Sequence, residues 1–262
     1  MRKILFSTFT VIAILLSATQ PVLAITNGQP DGNKHPFVGA LAAVFPDGSQ
    51  DWFCSGTLIA PAVFLTAAHC VDWLPALGIH TVYVSFDPVY DPTKAPVYTG
   101  SYVMAPKDKN GMAHDYDLAV VLLDTPVPDI EPASLPQVGL FDQLGPRGLR
   151  NQLFTPVGYG SPARIKDGGP QEFFYDGIRR NAVGSFNALD KNWLRLSMNP
   201  AKGDGGTCYG DSGGPNFIGA GGDETKIIAG VTVTGDAVCR ATNVIIRLDT
   251  TVAHAFIDQY LP

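Results

Sequence analysis

Three side chains of this sequence hold the means for nucleophilic chemistry: Ser212 in "CYGDSGGP" (208–215), His69 in "LTAAHC" (65–70) and Asp117 in "HDYDLAVVLL" (114–123). Ser212 stands among glycines, where backbone can turn sharply and approach a ligand closely, as a nucleophile with nearby N–H donors requires. His69 follows an apolar run and sits beside a cysteine, a place that would hold an imidazole rigidly. Asp117 opens a run that reads as a fully buried strand, and a carboxylate entering a core needs a partner. With His69 as that partner, one ring nitrogen is held by the carboxylate and the other is left to take a proton from Ser212. Taken singly, a Gly-rich turn, a strand-end histidine and a buried acid are ordinary structural features.

The elements that must position these residues are short. Apolar runs such as "HTVYVSF" (80–86), "LAVVLL" (118–123) and "KIIAGVTV" (226–233) are separated by Gly- and Pro-containing turns, a pattern that predicts a β-barrel or sandwich. "TPVPDIEPASLPQVG" (125–139) is Pro-rich, lacks strand periodicity and reads as a connector between two β halves; no sequence repeat supports a duplication. One helix is predicted, in "DTTVAHAFIDQYL" (249–261), with Val252, Phe256 and Tyr260 on one face and Asp249 or Thr250 as its cap.

The first 24 residues have the form of an export signal: Arg2 and Lys3, an apolar run from Ile4 to Leu16, then Pro21 and a Val22-Leu23-Ala24 cleavage pattern. The run is shorter than the ~18 to 20 residues a membrane span needs. A cut after Ala24 makes Ile25 the new terminus; an earlier cut after Ala18 would leave "TQPVLA" (19–24) as a short propeptide. Without Arg2 and Lys3 the net charge of −6 becomes −8, an acidic balance that argues against a nucleic-acid partner. Cys54, Cys70, Cys208 and Cys239 allow three disulfide pairings, among which spacing does not choose. Neither a Cys-x-x-Cys nor a His-Glu-x-x-His motif is present, so no metal and no cofactor is expected.

From "ITNG" through "CSGTLIAPAVFLTAAHC", "DYDLAVVLL", "PVGYG", "CYGDSGGP" and "NVIIRL", the chain resembles a chymotrypsin-fold serine protease of the trypsin family. The second and fifth segments are highly specific, and together the six cover residues 25 to the C-terminal helix. The resemblance implies an all-β fold of two antiparallel six-stranded barrels with a C-terminal α-helix, one barrel over about residues 25–134 and the other over about 135–262. It implies a triad of His69, Asp117 and Ser212 in the cleft between them; Asp115 and Asp124 do not fit the family's motif. It also implies oxyanion donors at the Gly210 and Ser212 N–H groups, and disulfides pairing Cys54 with Cys70 and Cys208 with Cys239. In the family a newly cut N-terminal residue inserts its ammonium beside the Asp preceding the catalytic Ser, which here pairs Ile25 with Asp211.

No Lys or Arg lies between Lys3 and Ile25, so a trypsin-style activation cut is absent and the export cut itself is expected to create the activating terminus. The specificity pocket is assigned to Gly206, Thr207 and Gly235. Trypsin-like members carry Asp where Gly206 stands, so cleavage after apolar or medium-sized residues is expected rather than after Lys or Arg. Asp204 and Asp236 are read as solvated loop carboxylates. Departures from the family pattern are "VTG" (233–235) in place of its Ser-Trp-Gly segment, an extra loop in "FIGAGGDET" (217–225), a span from 161 to 204 that aligns poorly, and no acidic calcium loop after His69.

The reaction implied is hydrolysis of peptide bonds in peptide or protein substrates by a secreted monomer, extracellular or periplasmic, with no membrane attachment after signal removal and with protein inhibitors as partners. Two other readings compete. "GDSGG" formally fits a Gly-x-Ser-x-Gly elbow followed by Asp249 and His254, but that elbow needs a helix after the serine and "PNFIGAGG" cannot form one. The other is a protease-shaped binding protein without turnover; such proteins usually lack a triad member, and here all three candidates are present.

Overall fold

The computed structural model describes residues 25, 28–95, 98–106, 116–161, 173 and 175–262, so the export segment 1–24 and residues 162–172 and 174 of the poorly aligning span 161–204 fall outside the described residues. After a two-residue strand β1 (Gln29–Pro30) come β2 (Val38–Val44), β3 (Gln50–Ala60), β4 (Val63–Thr66), β5 (Thr81–Ser85), β6 (Tyr98–Met104) and β7 (Ala119–Leu123). Strands β2 to β7 close into an antiparallel barrel in the order β2-β3-β4-β7-β6-β5. Their β-branched and aromatic side chains suit a pleated surface, and Gly, Pro and Asp residues end the runs. Curvature comes from register shifts: Leu41 faces Cys54 and Ala42 faces Trp52, so Phe53 is an extra residue that bends β3.

The second half begins with helix α1 (Leu140–Leu149). Then follow β8 (Leu153–Gly158), β9 (Arg180–Asn181), β10 (Gly184–Leu189), β11 (Trp193–Ser197), β12 (Pro215–Ile218), β13 (Ile228–Gly235) and β14 (Thr242–Arg247). β8, β10, β11, β14, β13 and β12 make the other six-stranded barrel, closed where β8 meets β12, and β9 carries β1 against the end of β8. The chain therefore has the two-barrel all-β architecture, and the three apolar runs singled out in the sequence supply β5, β7 and β13. The 125–139 segment straps the halves together: Val127 N and Ala133 N donate to Pro61 O and Leu58 O of the first barrel, and Ser134 N donates to Lys226 O of the second.

Two features differ from expectation. Helix α1 was not anticipated, because Gly145 (φ 58°, ψ 176°) and Pro146 interrupt its periodicity. The helix is in fact broken there into two short turns across a kink at Gly145, each held by packing, with Phe141 and Leu149 buried among Phe154, Leu194 and Ile245. The C-terminal helix α2 (Thr251–Ile257) is capped by Thr250, whose hydroxyl accepts from Ala253 N at 3.1 Å, while Asp249 instead takes the Arg247 guanidinium and the Phe141 N–H. Ala253, Phe256 and Ile257 form its buried face, whereas Val252 is 44% exposed and lines a cavity of about 320 Å³ with Ala105, Tyr116 and Leu118.

The N-terminal segment is pinned at the seam by a buried polar cluster. Arg179, fully buried, donates to Asp31 Oδ2 (2.9 Å), Gly32 O (2.9 Å), Val38 O (2.9 Å), Phe86 O (3.0 Å) and Tyr159 Oη (3.2 Å). His35 joins Asp31 through Nδ1 at 2.5 Å and Glu224 through Nε2, and its ring stacks on Phe217. Burial opposes a charge on His35, but the hydrogen bonds and charges of Asp31 and Glu224 outweigh it and lift its pKa to about 9. Glu224 comes from the extra loop of the sequence reading, which is the turn of the β12–β13 hairpin.

Candidate active site

β4 ends at Thr66, and a single 3-10 turn, Ala68–Cys70, then presents His69. β7 pairs with β4 in the register Thr66 to Ala119, which brings Asp117, just ahead of β7, beneath that turn. Asp117 is 6% exposed and engages His69 twice: the backbone N–H donates to Oδ1 at 2.7 Å, and ring Nδ1 donates to Oδ2 at 2.5 Å. The carboxylate can only accept, so Nδ1 carries the proton and Nε2 is left with its lone pair. Nε2 lies 3.9 Å from Cys70 Sγ, a disulfide sulfur with no proton to give.

Ser212 reaches the same cleft from the second barrel. Ser55 N on β3 donates to Ser212 O at 2.8 Å, and a side chain on Gly213 would meet Thr66 Oγ1 at 2.1 Å and Ala67 N at 3.0 Å. Gly213 has φ 80°, so both its backbone angle and the close approach of the residues leading to His69 demand glycine. Among the described residues Ser212 Oγ has no hydrogen-bond partner and no bond joins it to His69 Nε2; such contacts are commonly long before substrate arrives. Cys54–Cys70 ties β3 to the histidine turn, and Cys208–Cys239 ties the serine loop to the β13–β14 connection. Cys54, His69 and Cys70 converge within 4.8 Å, but the disulfide occupies both sulfurs, so they hold no metal.

The loop before Ser212 is hydrogen-bonded nearly throughout. Cys208 O accepts from Asp211 N, Tyr209 O from Ser161 N, Asp211 O from Gly214 N, and Gly210 O from Ser55 Oγ. Gly213 N donates to Thr232 O. Among the described residues the N–H groups of Gly210 and Ser212 have no protein acceptor. Gly210 holds φ 93°, a left-handed backbone suited to glycine. Two unpaired donors flanking Asp211, beside a serine, are the arrangement that stabilises charge developing on an attacked carbonyl oxygen.

Asp211 is fully buried and turned inward, with Gly160 N donating to Oδ1 and Cys208 N to Oδ2, each at 2.8 Å. Burial pushes its pKa up to about 7 despite those hydrogen bonds and the Arg180 charge. Ile25 is fully buried too, and as an uncut residue it sits at φ 49°, a strained conformation for a β-branched side chain. Its nitrogen is part of a peptide bond in this chain, and among the described residues no hydrogen bond or ion pair joins Ile25 to Asp211.

Of the residues assigned to a specificity pocket, Gly206 and Thr207 are buried, as is Cys208 after them, and Gly235, exposed, ends β13. A side chain on Gly206 would run into Met198 at 2.2 Å from Cγ and 2.3 Å from Sδ. The thioether of Met198, itself 1% exposed, thus fills the direction in which residue 206 would project. Asp204 corrects the expectation of a solvated carboxylate: it is 5% exposed and accepts from Ser185 Oγ at 2.8 Å. Asp236 accepts from the Arg240, Ala241 and Thr242 N–H groups and so holds the turn before β14. Asp249 and His254 stand apart from Ser212: Asp249 is bound to Arg247, His254 Nε2 to Pro136 O, and β12 rather than a helix follows the serine loop. Ser55, Tyr159 and Met198 were not singled out by sequence reading, since their contacts join strands distant in the chain.

The trypsin family model matches residues 25–256. The chain is 31% identical over 211 residues to the snake venom serine protease serpentokallikrein-1 of Protobothrops mucrosquamatus, spanning 74% of this chain and 72% of that protein. It is 30% identical over 228 residues to a trypsin of Saccharopolyspora erythraea, spanning 81% and 88%. Among solved structures, human heparin binding protein superposes with a TM-score of 0.62 at 18% identity over 88% of this chain and 94% of that one. HL collagenase superposes with a TM-score of 0.63 at 19% identity over 89% and 96%.

Proposed function

The chain belongs to the trypsin family of serine peptidases, and from that premise we propose that it is a secreted endopeptidase in which His69, Asp117 and Ser212 cleave peptide or protein substrates. The observation that carries this reading is the Asp117-bound His69, with its free Nε2, in the cleft that holds Ser212 and the unpaired Gly210 and Ser212 N–H groups. His69 Nε2 takes the Ser212 proton as Oγ attacks the substrate carbonyl carbon. The carbonyl oxygen becomes an oxyanion held by the two N–H groups, each worth about 3 to 4 kcal/mol of barrier. The C–N bond then breaks as the imidazolium gives its proton to the leaving amine, and water repeats the sequence to release the acid. Asp117 stabilises the imidazolium between these transfers.

Met198 under Gly206 supports an apolar floor to the specificity pocket and hence cleavage after apolar or medium-sized residues. Thr207 and Gly235 are the assigned walls. The exposed edge of β13 beyond the Val233 bulge leaves backbone groups for pairing with an extended substrate. The signal-like residues 1–24 support export, together with two disulfides and the similarity to a snake venom protease. The export cut before Ile25 frees an ammonium that pairs with buried Asp211.

A panel of peptide substrates tests this reading. Turnover after apolar residues, abolished in His69→Ala and Ser212→Ala, is the expected result. A correctly processed protein that cleaves none of them would instead be a binding protein of protease shape, and cleavage confined to Lys and Arg would overturn the pocket assignment.

A further inference from the structure

Ser55 makes more contacts with the serine loop than its place in a barrel strand requires. It is fully buried on β3, directly after Cys54. Its backbone N–H donates to Ser212 O at 2.8 Å and its hydroxyl donates to Gly210 O at 2.9 Å, so one residue holds the carbonyls on both sides of Asp211. Tyr159 N donates to the same hydroxyl at 2.9 Å, and Thr66 Oγ1 donates to Ser55 O at 2.8 Å. The direction of each bond is forced by its partner: an amide N–H only donates and a carbonyl only accepts, so the single hydroxyl proton of Ser55 is committed to Gly210 O.

The consequence concerns the peptide that follows Gly210. If that peptide rotates, the Gly210 carbonyl leaves Ser55 and the Asp211 N–H leaves Cys208 O, and the Gly210 Cα, no longer fixed from that side, ceases to hold the preceding peptide, whose N–H has no protein acceptor among the described residues. Gly210 has no side chain to oppose such a movement. Neighbouring backbone leaves little room for a bulkier anchor, since a side chain on Gly158 would come within 3.0 Å of Ser55 Oγ and one on Gly214 within 3.2 Å of its Cβ.

We propose that Ser55 is a positioning residue for the oxyanion donors, its amide and hydroxyl gripping Ser212 O and Gly210 O so that the Gly210 and Ser212 N–H groups stay directed into the cleft. This rests on the peptidase reading above and adds to it a residue that touches neither substrate nor the reacting atoms. Ser55 acts selectively in the transition state, because the donors it positions bind the oxyanion more strongly than the ground-state carbonyl.

The test compares the processed protein with its Ser55→Ala and Ser55→Gly variants, using a peptide substrate and a peptide boronic acid that forms a tetrahedral adduct on serine. Loss of the hydroxyl is expected to lower kcat by on the order of tenfold, below the hundredfold or more seen when a donor itself is removed. Boronate affinity should fall in parallel, with KM within about twofold of the parent. Thr155→Val, which removes a buried hydroxyl bonded to Gly219 O and Glu224 rather than to the serine loop, serves as the control for loss of a buried hydroxyl and should keep kcat and boronate affinity. Variants that lose stability like the control yet keep both parameters would overturn the positioning role alone. A parent protein that neither turns over substrate nor binds the boronate would overturn both this role and the peptidase reading.

Discussion

Gly206→Asp is the substitution that would mimic a Lys- or Arg-directed pocket, and here it should fail. The new Cβ would lie 2.2 Å from Met198 Cγ, and overpacking of this kind typically costs about 1 to 3 kcal/mol. The expected outcome is a lower thermal midpoint and no gain of cleavage after Lys or Arg on a peptide panel; adding Met198→Ala should restore stability. Asp117→Asn should keep the fold and reduce kcat by about ten-thousandfold, since the amide no longer holds His69 in the required tautomer. A fall of less than tenfold would mean that Asp117 is only a structural acid. The segments that carry His69, Asp117 and Ser212 stood out because their local motifs are distinctive, and the structure joins Asp117 to His69. Met198 and Ser55 were not, because each acts across a strand pairing or loop approach that spacing along the chain does not encode. Asp204 misled for the opposite reason: a carboxylate in a Gly-rich stretch reads as solvated, and only the fold shows it buried against Ser185.

At the scale of elements, the buried cluster that fastens the N-terminal segment to the β12–β13 hairpin is sensitive to pH. His35 is raised from its ordinary value near 6.5 to about 9, so its contribution to stability is fully present below about 6.5 and lost as pH rises through about 9. Asp31 is lowered, so its contribution is present above the ordinary carboxylate value and lost as pH falls through its folded-state value. Thermal unfolding midpoints should therefore decline from pH 7 to 10, and Glu224→Gln should flatten that decline; an unchanged slope would show that His35 does not carry the effect. Replacing the helix cap by Thr250→Ala should cost about 1 kcal/mol in denaturant unfolding. Strands with β-branched runs were readable from sequence, as β5, β7 and β13 demonstrate. Helix α1 was hidden by its internal Gly-Pro, and the inward face of α2 is the i, i+3, i+4 set Ala253, Phe256 and Ile257, turned from the face read in the sequence so that Val252 is exposed while Phe256 and the partly buried Tyr260 still pack inward.

For the whole molecule, the proposed maturation and the proposed catalysis meet at one buried carboxylate, Asp211. In the uncut chain Asp211 has its pKa raised to about 7, so its protonated form stabilises the fold fully below about 3.8 and this contribution is lost as pH rises through 7. Under the proposed maturation, a free Ile25 ammonium would offer the ionised carboxylate a partner and remove that loss. The cut protein should therefore hold its thermal midpoint between pH 5 and 7.5, while a form kept uncut should lose stability over the same range. The two-barrel architecture was legible from the ordered motifs, whereas the seam cluster of Asp31, His35, Arg179 and Glu224 was not, since its members come from three separate segments. The most direct measurement is the intact mass of the exported protein with and without a serine-directed fluorophosphonate. The account predicts a chain beginning at Ile25 that gains one adduct, lost in Ser212→Ala. A chain beginning at Ile25 that gains none, or a fully reactive chain beginning at Thr19, would contradict it.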